Sequence, residues 1–173
     1  MDKGQAPMEN PPPIAIDADQ LRFELLSKDD LPQIRPLENE AYPDPWTQGM
    51  FLQEISNGTS HFYLAFYEDE LVAYGGFWLI LDEVHITKVT VAHARRRAGL
   101  GAAFMGFLER LGRKLGGTVV RLEVRESNLA ARTLYERAGY EEIGIRKRYY
   151  AATGEDAIVM AKLLEPLDES TPS

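Results

Sequence analysis

The stretch that most limits how this chain can fold is Ile86 to Gly101, I-T-K-V-T-V-A-H-A-R-R-R-A-G-L-G. It reads as a buried strand, a short basic turn, and glycines opening a helix that runs to about Leu115. Glycine lets backbone approach a ligand closely, because no Cβ intervenes. A helix start presents unpaired N–H groups and the positive end of the helix dipole. A strand, a glycine turn and a helix in that order make a site for a phosphate or pyrophosphate. The spacing, Arg96 to Gly101, is neither the dinucleotide fingerprint G-x-G-x-x-G nor a P-loop ending in Lys-Ser/Thr.

The rest of the chain alternates strand and helix around that stretch. Leu21–Ser27 reads as a strand, with Phe23 and Leu25 on one face. A helix follows, capped by Asp29 or Asp30, with Ile34, Leu37 and Ala41 as its expected buried stripe. Pro43-Asp44-Pro45 breaks it, and Thr47 caps a second short helix that ends at Asn57-Gly58. Ser60–Tyr67, Leu71–Leu81 and Glu83–Val91 read as strands, and Gly75-Gly76 marks a bulge or a close backbone approach. After the central helix come a strand at Thr118–Arg125 and a helix capped by Ser127 or Asn128. Strands at Tyr140–Arg148 and Asp156–Leu163 complete the series. The order β-α-α-β-β-β-α-β-α-β-β predicts an α/β fold, with a mixed, mostly antiparallel sheet flanked by helices. Residues 1–19, with P-P-P at 11–13, are expected to be a disordered arm, residues 20–165 a single domain, and residues 166–173 a polar tail.

Composition narrows the function. The chain has no cysteine, which excludes disulfides, thiolate zinc sites and a cysteine nucleophile. Its three histidines lack metal-ligand spacing, so no metal is expected. No apolar run is long enough to span a membrane, and the polar, proline-rich start does not read as a signal peptide, so a cytoplasmic protein is expected, away from membranes. A net charge of −8 argues against a general nucleic-acid binder. The positive charge is local, at Arg95, Arg96 and Arg97, which suits a small anionic ligand, while the acidic remainder suits a cationic partner.

R-R-A-G-L-G after V-T-V resembles the acetyl-CoA-binding motif of the GNAT acyltransferases, written Q/R-x-x-G-x-G/A. Leu122 to Tyr140, L-E-V-R-E-S-N-L-A-A-R-T-L-Y-E-R-A-G-Y, is similar to the next two elements of that family. A narrower resemblance, to the RimI type that acetylates the N-terminal alanine of ribosomal proteins, rests on L-D-E at 81–83, R-K-R-Y-Y at 146–150 and E-D-A-I-V-M at 155–160. A-Y-P-D-P-W at 41–46 resembles that group's A-F-P-W with two residues added. The resemblance covers about Leu21 to Leu164 and implies a GNAT-type fold and acetyl transfer from acetyl-CoA to a protein N-terminus.

Acetyl transfer to an amine needs a deprotonated nitrogen, a carbonyl held by donors, and a proton for the leaving thiolate. Gly99, Gly101 and the amides from Arg97 to Ala102, including Ala98 and Leu100, are candidates to bind the pyrophosphate, with Arg96 and Arg97 adding charge. Val89, Thr90 and Val91 are candidates to pair with the amides of the cofactor arm as an added strand would. The resemblance adds Asn128 as a contact to that arm and Glu123 as general base. From its residue type alone, Glu123 reads as the ion-pair partner of Arg121 or Arg125 on the same strand face, and the motif context is what favours the base. Tyr135 is the candidate acid: it lies seven residues after Asn128, hence on the same helical face, though its spacing also fits a core aromatic. His85 is either a second base or peptide contact, or a half-buried structural histidine; His61 and His93 read as structural or exposed. Tyr42, Trp46, Tyr149 and Tyr150 are candidates for a peptide groove, with ordinary loop packing as the alternative. The function expected is acetylation of a protein α-amine, with no covalent enzyme intermediate. The competing readings are transfer to a small amine or lysine side chain, a non-catalytic CoA-binding sensor, and a nucleotide-binding α/β protein.

Overall fold

In the computed structural model of the protein, which describes residues 16–166 apart from Arg97, the strands join into one seven-stranded sheet. They are β1 (Arg22–Leu25), β2 (Ser60–Tyr67), β3 (Glu70–Ile80), β4 (Glu83–Val91), β5 (Val119–Arg125), β6 (Glu141–Tyr150) and β7 (Glu155–Leu163). The sheet order is β1-β2-β3-β4-β5-β7-β6, and every neighbouring pair is antiparallel except β4 and β5. The four helices are α1 (Leu31–Ala41), α2 (Gln48–Ser56), α3 (Leu100–Lys114) and α4 (Leu129–Arg137). This is the mixed, mostly antiparallel α/β architecture that the element order predicts. Among the described residues no helix is long and apolar enough to cross a membrane.

Two cores flank the sheet. On one face Leu100, Phe104, Met105 and Leu108 of α3 pack on Val84, Ile86, Val120, Leu122 and Val124, with Ala131, Tyr135 and Ala138 of the α4 region beside them. On the other, Ile34 of α1 and Phe51 of α2 pack on Phe62, Leu64 and Tyr74. The buried residues of α1 are Leu31, Ile34 and Glu38 rather than the stripe Ile34, Leu37 and Ala41, because a charged partner, described below, draws Glu38 inward. Asp30, expected as a cap, instead turns its carboxylate back to the Ser27 N–H at 2.8 Å.

Ile16 is 5% exposed in the α3-side core and donates its N–H to the Ala98 carbonyl at 3.0 Å. Ala18–Gln20 forms a 3-10 turn. The end of the expected arm is therefore pinned by one apolar side chain under the basic turn; residues 1–15 and 167–173 lie outside the described residues.

One irregularity sets the geometry of the site. Gly76 stands opposite Lys88 and Phe77 opposite Ile86, so Thr87 is an extra residue on β4. A bulge of this kind shifts the side-chain alternation by one. Before it, Val84 and Ile86 face α3; after it, Val89 and Val91 do. Lys88 and Thr90 thereby turn to the side of α1, the same side as His85. Gly75-Gly76 is the close approach expected there: a Cβ on Gly75 would lie 2.2 Å from the Lys88 carbonyl oxygen.

Candidate active site

The parallel strands β4 and β5 pair only from Glu83↔Val119 to His85↔Arg121. Beyond that point they separate, and a cleft of about 520 Å³ opens between them. Its walls include Thr87, Lys88 and Val89 of β4, Leu122 to Arg125 of β5, and Asn128, Ala131 and Tyr135 at α4. Tyr42, Asp44, Pro45 and Trp46 of the α1–α2 connection and Tyr150 of β6 also border it.

At the lower end of the split stands Glu123, its side chain 6% exposed. Its Oε2 lies 2.7 Å from His85 Nε2. Its Oε1 is buried with no hydrogen-bond partner, 3.6 Å from Arg146 Nε. Burial pushes this carboxyl up, but the hydrogen bond and charge of His85, with Arg146 and Arg121 behind, outweigh it and hold Glu123 below the ordinary carboxylate value. Neither Arg121 nor Arg125 is its ion-pair partner. Arg121 reaches Glu83 at 3.7 Å, and Arg125 turns to Asp44 at 3.3 Å and to Glu155 at 3.7 Å. The parallel pairing explains this, because it sets His85 across from Arg121 and so beside Glu123. His85 reaches the cleft through Glu123 rather than lining it.

Tyr135 sits on α4 against the cleft, edge-on to Tyr140 with centroids 5.8 Å apart. Burial pushes its phenol up to about 12. Asn128, not Ser127, caps α4: its Oδ1 accepts from the Ala131 N–H at 3.1 Å, and the residue also borders the cleft.

The basic turn leads from β4 into α3. Gly99 has φ 80°, a left-handed conformation suited to glycine, and a Cβ there would meet nothing within 4 Å. Gly101 is tightly placed for another reason: its Cβ would stand 3.1 Å from Leu134 Cδ2 of α4. Ala98 and Leu100 are 3% and 1% exposed, so they offer a ligand backbone rather than side chains. Ala102 and Arg96 are exposed. Arg95 is held by Glu70, and Arg97 lies outside the described residues. With the first-turn amides of α3 unpaired inside the helix, the open Gly99 corner and Arg96 fit an anionic diphosphate.

The aromatic candidates divide. Tyr42 donates to or accepts from Thr90 Oγ1 at 2.7 Å, and burial raises its phenol's pKa. Trp46 is half-buried against Phe51 and Phe62 and borders the cleft. Tyr150 also borders it, with the Arg125 guanidinium 4.0 Å above its ring. Tyr149 is outside the lining and 45% exposed, edge-on to Tyr150 at 5.1 Å. A second irregularity places this pair: between Arg146↔Ala157 and Tyr150↔Glu155, three residues of β6 oppose Asp156 alone. The Asp156 carboxylate fastens the bulge by accepting from the Arg148 N–H at 2.8 Å and from Lys147 Nζ at 3.1 Å. His61, stacked on Phe77 at 5.0 Å with its pKa lowered by burial, is structural, and His93 is exposed. Among the described residues no cluster of three His, Cys, Asp or Glu side chains is arranged to hold a metal.

Sequence reasoning passed over Arg146 and Lys88. The R-K-R-Y-Y run signalled the first. Nothing local signalled the second, a lysine in an alternating strand whose direction the bulge reverses.

Comparisons with known proteins bear on the family and the fold. The model of the acetyltransferase (GNAT) family matches residues 31–140. The ribosomal protein bS18-alanine N-acetyltransferase of Escherichia coli K12 is 35% identical over 138 residues, covering 79% of this chain and 93% of that protein. The N-alpha-acetyltransferase RimI of Mycobacterium tuberculosis is 31% identical over 157 residues, 86% of this chain and 96% of its own. The crystal structure of the ribosomal-protein-S18-alanine N-acetyltransferase from Escherichia coli aligns with a TM-score of 0.77 at 30% identity, over 88% of this chain and 99% of that one.

Proposed function

The chain belongs to the GNAT acetyltransferase family, and from that premise we propose that it moves acetyl from acetyl-CoA to the N-terminal α-amine of a basic ribosomal protein in the cytoplasm. The observation that carries this reading is Glu123: one oxygen is fastened to His85, and the other is buried in the cleft wall without a hydrogen-bond partner, 3.6 Å from Arg146 Nε. An unpaired buried acceptor is costly, and an incoming amine N–H would satisfy it.

Acetyl-CoA supplies the activated acetyl group. The first turn of α3 from Gly99, with Arg96 and Arg97, holds the diphosphate, and the open edge of β4 at Val89–Val91 pairs with the amides of the cofactor arm, near Asn128. The acceptor enters from the side of Tyr42, Trp46, Tyr149 and Tyr150. An α-ammonium has a pKa of ~7.7–8.0, so a useful fraction is already free amine at neutral pH. As the C–N bond forms, the nitrogen proton becomes far more acidic, and the ionised Glu123 takes it. His85 is a positioning residue that fixes the carboxylate. The C–S bond breaks and the sulfur leaves as a thiolate. Tyr135 donates a hydrogen bond to it, and burial keeps that phenol neutral. Burial also weakens it as an acid: full proton transfer to a thiolate of pKa ~8.5 is uphill by about 3.5 units. Stabilising the departing sulfur is thus the larger part of its role.

The acidic surface favours a cationic partner. A panel of N-terminal hexapeptides, basic and alanine-initiated among them, against polyamines and Nε-lysine acceptors, read by free CoA release, tests the reading. Turnover on peptides through the α-amine is the expected result. Turnover confined to small amines, or none with any acceptor, would overturn it.

A further inference from the structure

Below the acceptor side of the cleft, four hydrogen bonds converge on one carboxylate. Glu38 of α1, its side chain 1% exposed, accepts from Lys88 Nζ at 2.9 and 2.7 Å, from the Tyr74 hydroxyl at 2.8 Å, and from the Trp46 N–H at 3.1 Å. The Lys88 ammonium also stands 3.9 Å from the Tyr42 ring centroid and 4.4 Å from that of Trp46. One ion pair therefore ties α1, β3, β4 and both aromatic ends of the α1–α2 connection together.

A buried ion pair is a poor device for stability, since well-packed apolar residues of similar size often serve as well. Its advantage here is direction. The Trp46 N–H is a backbone donor in a connection that Pro43 and Pro45 keep from making its own helical bonds. The two rings face a point charge at fixed distance, which favours their faces over their edges. Asp44, between the prolines, is held from across the cleft by Arg125.

We propose that the Glu38–Lys88 pair is a positioning device for the acceptor: it locks the Tyr42–Trp46 connection against β4 and so shapes the wall that meets the first residues of the acceptor peptide. This rests on the proposal that a peptide is the acceptor. The bulge at Thr87 is what makes it feasible, because without that extra residue Lys88 would point to the α3 side.

The test uses the full chain. Removing one partner strands a buried charge, so the informative variant is Glu38→Gln/Lys88→Met, which removes both charges and keeps the volumes close. Its thermal transition is expected to stay cooperative, its KM for acetyl-CoA to stay within about twofold, and its KM for an N-terminal hexapeptide to rise ~10-fold or more through misplacement of the wall. In a Trp78→Phe background Trp46 is the sole tryptophan, and acrylamide should quench it more strongly in the double variant. Unchanged peptide KM with unchanged quenching would overturn the proposal, as would equal losses for both substrates. If the parent chain acetylates no peptide, the acceptor assignment fails, while Trp46 quenching still decides whether the pair positions the loop.

Discussion

Glu123→Gln is the sharpest perturbation of the proposed mechanism. It keeps the shape of the side chain and removes its negative charge where that charge has two tasks. One oxygen faces His85 at 2.7 Å, and the other is a buried acceptor in the cleft wall that no hydrogen bond satisfies. Losing a positioned base costs about 10²–10³ in kcat, or ~2.7–4.1 kcal/mol at 1.36 kcal/mol per decade. Exchanging a charged hydrogen bond for a neutral one should cost the fold only ~1 kcal/mol, seen as a Tm lower by ~2–4 °C. The assay is CoA release at saturating acetyl-CoA and hexapeptide, with acetyl-CoA affinity measured separately by calorimetry. Catalysis should fall by orders of magnitude while cofactor affinity and fold barely move. A rate within about threefold of the parent would refute the assignment, and loss of acetyl-CoA binding would make Glu123 structural. A double-mutant cycle with His85→Ala separates the partners. Should His85 act only through Glu123, removing it from the glutamine variant changes nothing further.

Tyr135→Phe should lower kcat by ~10²-fold with acetyl-CoA affinity unchanged; an unaltered rate would assign the leaving sulfur to another donor. The pH profile of kcat/KM should rise to a plateau near ~8, set by the acceptor α-amine, with no step in the ordinary carboxylate range, since Glu123 titrates below it. In stability the sign is fixed by the same depression: the Glu123 contribution is complete above its unfolded value of ~4.3 and is lost as pH falls through the lower folded value. By chemical denaturation the parent should therefore hold its advantage over Glu123→Gln above ~4.3 and lose it as pH falls further. Gly75→Ala, which sets a Cβ 2.2 Å from the Lys88 carbonyl oxygen, should cost ~2–3 kcal/mol, with a Tm drop of ~5–10 °C by calorimetry.

Much of the molecule was legible along the chain because it depends on near neighbours. Helical spacing from Leu100 to Leu108, alternation in Val119–Arg125, a cap at Asn128 and glycines at the turn into α3 are local signals. Those residues fold much as their spacing requires. The burial of Ile16 beneath the basic turn is not signalled by its polar, proline-rich surroundings. The split between β4 and β5 is equally silent in sequence, since both strands continue alternating after their pairing ends.

The sequence alone determined the class of fold, the glycine turn into α3, and the residue types available for chemistry, all set by periodicity and by groups a few positions apart. Only the tertiary structure decided who meets whom. His85 rather than Arg121 or Arg125 holds Glu123, and Lys88 turns inward to Glu38. Arg146 and Tyr150 arrive from a bulged strand at the sheet's edge. The physical reason is that a strand's alternation gives only a side. A one-residue bulge reverses that side, and parallel pairing joins residues tens of positions apart whose mutual register no local pattern records.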